Sequence, residues 1–449
     1  MYTIYIFRRD LRIQDNLGFN YAIQNCKNII PIFIFTPEQV VKNEFKSENA
    51  IEFMIESLKA LDLNLKKYNS KLYVFQGDNI KVLKKIMSNL EIDNIVFNQD
   101  YTPYAKKRDL KIEKLCKKNE INCHMIHDYL LAEIGTFLKK DGNPYTVFTP
   151  FRNNGLKEKI EKPKILKVKN LANPKLKDDG FIEYNINTYK LVKGGRDNGL
   201  KQLAKIKKQK KYNDDRNSLS IQTSLLSAYI KFGNISIREV YWKIRDVLGI
   251  ENDLISQLFW REFYFYITNY FPEVLQGKNF NPKYDDIKWN NNKKYFKAWC
   301  EGKTGVPVVD AGMRELNKTG YMHNRARLIT SNYLNRILGC DWRIGEKYYA
   351  SRLTDYDPAV NNGNWQWIAS TGTDPKPYFQ RLFNPWLQSK KSDKDCLYIK
   401  KWVPELESVP NKEIHEWEKY CDKYDFYMKP IRDYKEGRGE SVKMYKAVL

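Results

Sequence analysis

Histidine is scarce in this chain, with four residues in 449, and the seven cysteines are odd in number and widely scattered. No two cysteines form a CxxC pair, which excludes a sequence-legible zinc knuckle and argues against a disulfide framework. So few histidines also argue against histidine-based metal chemistry, and no metal is expected. No apolar run approaches the roughly 18 residues of a membrane span. The N-terminal "MYTIYIFRRDLR" turns charged before a signal-peptide core could form. The expected compartment is therefore intracellular, cytoplasmic or nucleoid-associated. Acidic residues are in deficit, 54 against 77 Lys and Arg, for a net charge of +23. Such a field attracts polyanions, although a lysine-rich solubility surface has the same composition. No GxGxxG follows the first apolar run, so the dinucleotide fingerprint is missing. Tryptophan is absent from the first 241 residues, and all ten lie between Trp242 and Trp417.

What is present divides the chain. The β-rich runs 2–7, 29–35, 71–77, 94–100 and 123–131 alternate with helical stretches such as "AIEFMIESLKALDLNLKKY" at 50–68. This alternation predicts an α/β domain over 1–131 with a parallel five-stranded, Rossmann-like sheet. Ligands of such sheets sit at the carboxyl ends of the strands. Residues 132–195 are weakly patterned and studded with lysines, and read as an interdomain linker. "KQLAKIKKQKK" (201–211) follows, either a solvated helix face or a phosphate-facing one. Beyond it the periodicity of 236–249, 253–271 and 323–339 is helical, so 196–449 is expected to be an all-α domain.

One stretch of that domain stands out. Residues 361–373, "NNGNWQWIASTGT", lack any formal charge and place Trp365 and Trp367 two positions apart. A core would prefer aliphatics and a loop would not need indoles, so the stretch reads as a pocket lining. The concentration of tryptophan suggests a helical domain built around a large flat ligand or stacked bases. "TSLLSAYIKFGNIS" (223–236) offers hydroxyls and amides at a helix start, an arrangement that suits phosphates.

These runs occur with "FRRDLRIQDN" (7–16), "QLFWREF" (257–263), "EGKTGVPVVDAGMREL" (301–316), "GYMHNRAR" (320–327), "LTDYDPAVNNGNWQW" (353–367), "STGTDPKPYFQRLFNP" (370–385) and "YIKKWVPEL". Together, and in this order, they resemble the photolyase/cryptochrome family, most closely its class I cyclobutane pyrimidine dimer photolyases. The resemblance implies FAD, reduced when active, and light-driven electron transfer to a flipped-out dimer in UV-damaged DNA. It implies that Tyr212, Thr223, Ser224, Leu225, Leu226 and Ser227 hold the cofactor's phosphates and ribityl chain. Asp355 and Asp357 would face its ribityl and adenine parts, and Arg327 would pair with Asp355. Asn361 falls where the family sets a side chain against flavin N5, and an amide there can accept a hydrogen bond without adding charge.

By the same resemblance Trp365, Trp342 and Trp289 form an electron relay, with core packing as the alternative. Trp260 and Trp367 would wall the lesion cavity, where a poorly stacked dimer is cheaper to extrude than an intact pair. Arg216, Arg325 and Arg381 match arginines that clamp DNA phosphates or the lesion edge. Gln257 stands where dimer photolyases usually carry glutamate, four before Arg261. Leu328 replaces a methionine one helical turn from Asn324. The related (6-4) photolyases also carry that glutamine, but they use two histidines that are missing here, and His323 is one step out of place. A (6-4) photolyase and a cryptochrome-like photoreceptor without repair activity are the alternative readings. A second, antenna chromophore is expected in the sheet domain. The Asn/Glu pair of folate-binding members is absent from "DYTPYAKKRD" (100–109), which leaves a deazaflavin, a second flavin or nothing. No obligate protein partner is expected, and the chain should act as a monomer.

Overall fold

Each of the five apolar runs near the N-terminus is a strand: β1 (Tyr2–Phe7), β2 (Ile29–Phe35), β3 (Tyr73–Gln76), β4 (Ile92–Asn98) and β5 (Asn122–Ile126). The computed structural model describes residues 1–41, 43–184, 190–373 and 382–449. All strand pairs are parallel, in the order β3-β2-β1-β4-β5. β1 lies at the centre, with Ile4 opposite both Ile30 and Ile95. Crossover helices α1 (Leu17–Asn25), α2 (Glu48–Lys66), α3 (Asn79–Met87) and α4 (Pro103–Lys118) each begin on a side-chain cap. Asn16, Ser47, Asp78 and Thr102 supply those caps, so every helix start was written locally. The expected fifth strand is shorter than its apolar run. It stops at Ile126, and the chain then turns to place Asp128 and Leu131 against other elements.

Packing gathers the chain into two compact units. The first comprises Met1–Asn187, Val192–Lys210 and Ser224–Pro272; the second comprises Thr188–Leu191, Lys211–Thr223 and Glu273–Leu449. This division falls later in the chain than the compositional border at 195. The helices α5 (Phe148–Gly155), α6 (Ile237–Leu248) and α7 (Asp253–Tyr270) belong with the sheet. Four buried charges tie α6 to the loops that follow β1 and β5. Arg238, on α6, contacts Asp15 at 3.0 Å and Asp128 at 2.7 Å, and Arg12 contacts Asp128 at 2.6 Å. All four side chains are buried. The set is neutral, and further bonds support it: Leu17 N donates to Asp128, and Arg12 and Arg238 both donate to the Asp15 carbonyl. Burial alone would raise the Asp128 pKa, but Arg12 and Arg238 bring it below the ordinary value.

The lysine-rich connector is anchored along the sheet. Asn170 Nδ2 donates to the Cys26 carbonyl at 2.6 Å, and Ile29 N donates to the Asn170 carbonyl at 2.9 Å. Asp178 accepts from Val74 N at 3.0 Å.

The second unit is helical, with α8 (Pro307–Thr319), α9 (Asn324–Asn332), α10 (Trp342–Arg352) and α11 (Pro358–Ala369) around one core. Trp299, Trp342, Trp365, Trp386 and Trp417 all lie in that core. The helix read over 323–339 is interrupted: α9 passes into a π turn at Tyr333–Ile337, a local widening that often accompanies functional regions. Gly345 is required on α10, because a Cβ there would come within 2.3 Å of the Trp365 ring. Among the described residues no helix is long and apolar enough to cross a membrane. Nor is any cluster of three or more metal-ligating side chains present among them.

Removing one member of a buried ion network leaves its partners charged and unpaired. Asp128→Ala is expected to cost about 3–5 kcal/mol, read as a lower urea midpoint at unchanged slope. An unshifted midpoint would show that the network does not hold the first unit together.

Candidate functional site

The uncharged stretch read as a pocket lining is largely helix α11. Asp357 caps it, accepting from Ala359 N at 3.1 Å, and Pro358 takes the first helical position. Asn361 and Trp365, one turn apart, share a face, and both are buried. Trp367, two residues further, turns by about 200° to another side and is half-buried. The spacing of the two indoles thus sends one to the core and leaves the other partly in solvent.

Asn361 Nδ2 donates to the Glu346 carbonyl at 3.3 Å, which leaves Oδ1 as its acceptor. Asn362 Nδ2 donates to the Val274 carbonyl at 3.0 Å. Glu346 is itself buried on α10. Burial pushes its carboxyl up to about 8, against the lowering effect of hydrogen bonds with Asn362 and Asn361. The expected Arg327–Asp355 pair is present, with Arg327 Nη2 at 2.9 and 3.1 Å from the two Asp355 oxygens. Arg327 Nε also donates to the Met322 carbonyl at 3.0 Å, so the guanidinium is held at both ends.

The segment assigned to the cofactor's phosphates belongs to no helix or strand from 222 to 226. Tyr212 is buried in a short helix (Tyr212–Asp215), and Thr223 and Ser224 are half-buried. Leu225 has φ +51°, a left-handed backbone that a branched side chain adopts at a cost. Leu226 is buried, and Ser227 opens a helix of five residues. Thr223 lies in the second unit, and Ser224, Leu225, Leu226 and Ser227 lie in the first.

On α7 the residues Gln257, Trp260 and Arg261 are half-buried along one face, while Phe259, Glu262 and Phe263 are buried behind them. Arg261 contacts Glu262 at 3.1 Å and lies 4.7 Å over the Phe265 ring. Glu262 accepts from Leu131 N at 2.9 Å, and its burial raises the carboxyl to about 7. In the second unit Arg325 donates to Asn217, and its pKa is lowered by burial and then by the neighbouring Arg216 charge. Asn324 is exposed and Leu328 half-buried one turn away, as expected from their spacing. Arg381 lies outside the described residues.

His323 caps α9, its Nδ1 accepting from Arg325 N at 3.0 Å. Burial first, then Arg325 and Arg327, lower its pKa to about 4, so it is neutral near pH 7. Trp342 is fully buried, and its indole donates to Asn279 at 3.0 Å. Trp289 is half-buried, edge-on to Tyr445 at 6.1 Å. Trp365 meets the rings of Tyr349 at 4.8 Å and Trp299 at 6.2 Å. Tyr349, Trp299 and Glu346 were passed over in the sequence. They sit at ordinary positions of amphipathic helices, and no motif marks them.

With this geometry in hand, comparison with known proteins is decisive. Residues 3–168 match the DNA photolyase family model, and residues 254–447 match that of the FAD binding domain of DNA photolyase. The deoxyribodipyrimidine photo-lyase of Escherichia coli is 33% identical, covering 98% of each chain. The chain belongs to the DNA photolyase family. That of Buchnera aphidicola (subsp. Acyrthosiphon pisum) is 35% identical over 98% of this chain and 96% of its own. A Sulfolobus tokodaii photolyase, solved with two FAD molecules, superposes with a TM-score of 0.89 at 39% identity over the whole of both chains. A Synechocystis cryptochrome, at 24% identity and a TM-score of 0.88 over 99% of each chain, shares the fold. Family membership accounts for a helical domain that gathers Asn361, Trp365 and the Arg327–Asp355 pair.

Glu346 holds its proton up to about pH 8 when folded, against an ordinary value of 4.5. The folded chain therefore binds an extra proton between those limits. The stabilisation is complete below the lower value and is lost as pH rises through the upper one. The thermal midpoint of the wild type should thus fall between about pH 5 and 8, and Glu346→Gln should flatten the profile. Equal slopes in the two proteins would assign the pH dependence to another group.

Proposed function

We propose that this chain is a deoxyribodipyrimidine photo-lyase that splits cyclobutane pyrimidine dimers in UV-damaged DNA under light. Its full-length likeness to photo-lyases supports the reading. The single structural observation behind it is the one-turn pairing of Asn361 and Trp365 on the buried face of α11. The donor set suits FAD: Asn361 keeps a neutral acceptor free of its own donor, and Arg327 with Asp355 forms a balanced ion pair. Bound FAD would supply light absorption and the electron that the reaction borrows.

The chain's own residues then have separate tasks. Tyr212, Thr223, Ser224, Leu225, Leu226, Ser227, Asp355 and Asp357 hold the cofactor, and Asn361 offers Oδ1 as acceptor without bringing charge. Trp260 and Trp367 stack on the extruded pyrimidines, and Gln257 donates to a base carbonyl. Asn324, Leu328 and Arg261 contact the lesion or its strand. Arg216, Arg325 and Arg381 bind phosphates. Trp365, Trp342 and Trp289 pass an electron inward by hopping between indoles. One electron enters the dimer, its two carbon–carbon bonds break, and the electron leaves again, so there is no net redox change. The (6-4) reading needs an imidazolium, and His323 is held neutral. Residues 1–131 serve as the antenna domain, 132–195 as the linker and 196–449 as the catalytic domain. The two FAD molecules of the Sulfolobus tokodaii protein favour a second flavin over folate as antenna. The protein works as a monomer inside the cell.

Reduced protein should restore paired thymines in dimer-containing DNA under blue or near-UV light and not in darkness. Recovery in neither condition would remove the repair reading. Trp342→Phe should slow photoreduction of oxidised flavin at least tenfold, roughly a 1.4 kcal/mol effect or more, yet leave repair by pre-reduced enzyme near wild type. Equal loss of both would contradict the relay.

A further inference from the structure

Trp260 does not stand alone on α7. Phe148, the first residue of α5, lies flat against it, with ring centroids 3.6 Å apart and planes within 7°. The other neighbours of this indole ride on its own helix: Phe263 edge-on at 5.8 Å and 83°, and Tyr264 tilted by 31° at 5.6 Å. Free aromatic pairs prefer offset or edge-on arrangements with centroids 4.5–7 Å apart. A nearly eclipsed pair at 3.6 Å is therefore imposed by the elements that carry the two rings.

The packing of α5 explains how. Phe148, Phe151 and Gly155 recur at helical spacing on one face. Phe151 is fully buried, 5.4 Å from Phe263 and 5.1 Å from Tyr266. At the far end a Cβ on Gly155 would come within 2.5 Å of the Phe259 ring, so α5 is pressed onto α7 along its length. These contacts fix the backbone that carries Phe148. Its ring lies over one face of the Trp260 indole, so a base stacking on Trp260 takes the opposite face.

We infer that Phe148 is a positioning residue of the lesion pocket: it backs Trp260, fixes the plane of the indole, and restricts a flipped-out pyrimidine to one side of it. This rests on the reading of Trp260 as a lesion wall. Its job is geometric, since it neither touches the base nor bears charge. Loss of the backing leaves an indole that can turn about its side-chain torsions, and the stacking surface is no longer preorganised.

The test is equilibrium binding in the dark, to duplexes with and without one thymine dimer, at one salt concentration. Phe148→Ala should lose about tenfold in preference for the dimer, the scale of one stacked base, with affinity for undamaged DNA unchanged. Phe148→Leu, similar in volume but not flat, should lose most of the same preference, and Phe148→Tyr should restore it. The Leu and Tyr pair carries the test even if the Ala variant does not fold. Wild-type preference retained in the Ala and Leu variants would overturn the inference. So would tighter lesion binding by Phe148→Ala, which would make Phe148 an occupant that the base displaces. A wild type with no preference for dimer-containing DNA would instead remove the reading of Trp260, and the role of Phe148 with it.

Discussion

The neutral quartet of Arg12, Asp15, Asp128 and Arg238 joins the chain following β1, the chain following β5 and the start of α6 in one buried knot. Burying four charges is costly unless each is fully paired, and a half-satisfied version would be worse than an apolar core. Here every member has at least two partners, backbone groups included. Such a network tolerates one arrangement and therefore fixes register between segments far apart in sequence. α7 begins five residues after α6 ends, so the half-buried face of Gln257, Trp260 and Arg261 inherits its place from that knot. A second tie, Glu262 to Leu131 N, acts in the same sense on α7 itself.

Three further buried groups are kept electrically quiet. Glu346, Glu262 and His323 are each buried with pKa values displaced toward the neutral form. The basic excess of the chain lies outside these positions, in lysines along the surface and in arginines that either pair or face a like charge. Arg325 donates to Asn217 beside the like charge of Arg216. Charge that is paired, as at Arg327 and Asp355, orients. In an apolar setting of indoles, a neutral amide such as Asn361 can then decide a hydrogen bond without perturbing the local potential.

Much of the fold was legible because its signals are local. The five strands and the helical stretch 50–68 follow from short patterns, and the caps Asn16, Ser47, Asp78 and Thr102 that the structure adds are equally local. The helix carrying Asn361 and Trp365 was marked by its composition, and the Arg327–Asp355 pair by its motifs. Errors occurred where a distant contact overrides a local pattern. The fifth strand ends before its apolar run does, because Asp128 and Leu131 are drawn to α6 and α7. The helix over 323–339 opens into a π turn, where Leu338 N bonds back to the Tyr333 carbonyl. The packing partners of Trp299, Tyr349 and Glu346 carried no sequence signal, since position on a helix does not tell what the opposite wall will be.

Taken alone, the order of residues determined the types of element, their sequence, the basic surplus and the identity of the side chains available for light-driven chemistry. These properties depend on neighbours within a few positions, or on sums over the whole chain. Tertiary structure decided which of those side chains are charged, which face of each indole is covered, and where α5, α6 and α7 belong. A carboxyl at position 346 ionises or not according to how much water its folded surroundings exclude. The free face of Trp260 depends on Phe148, a ring brought to it by helix packing that no local periodicity encodes.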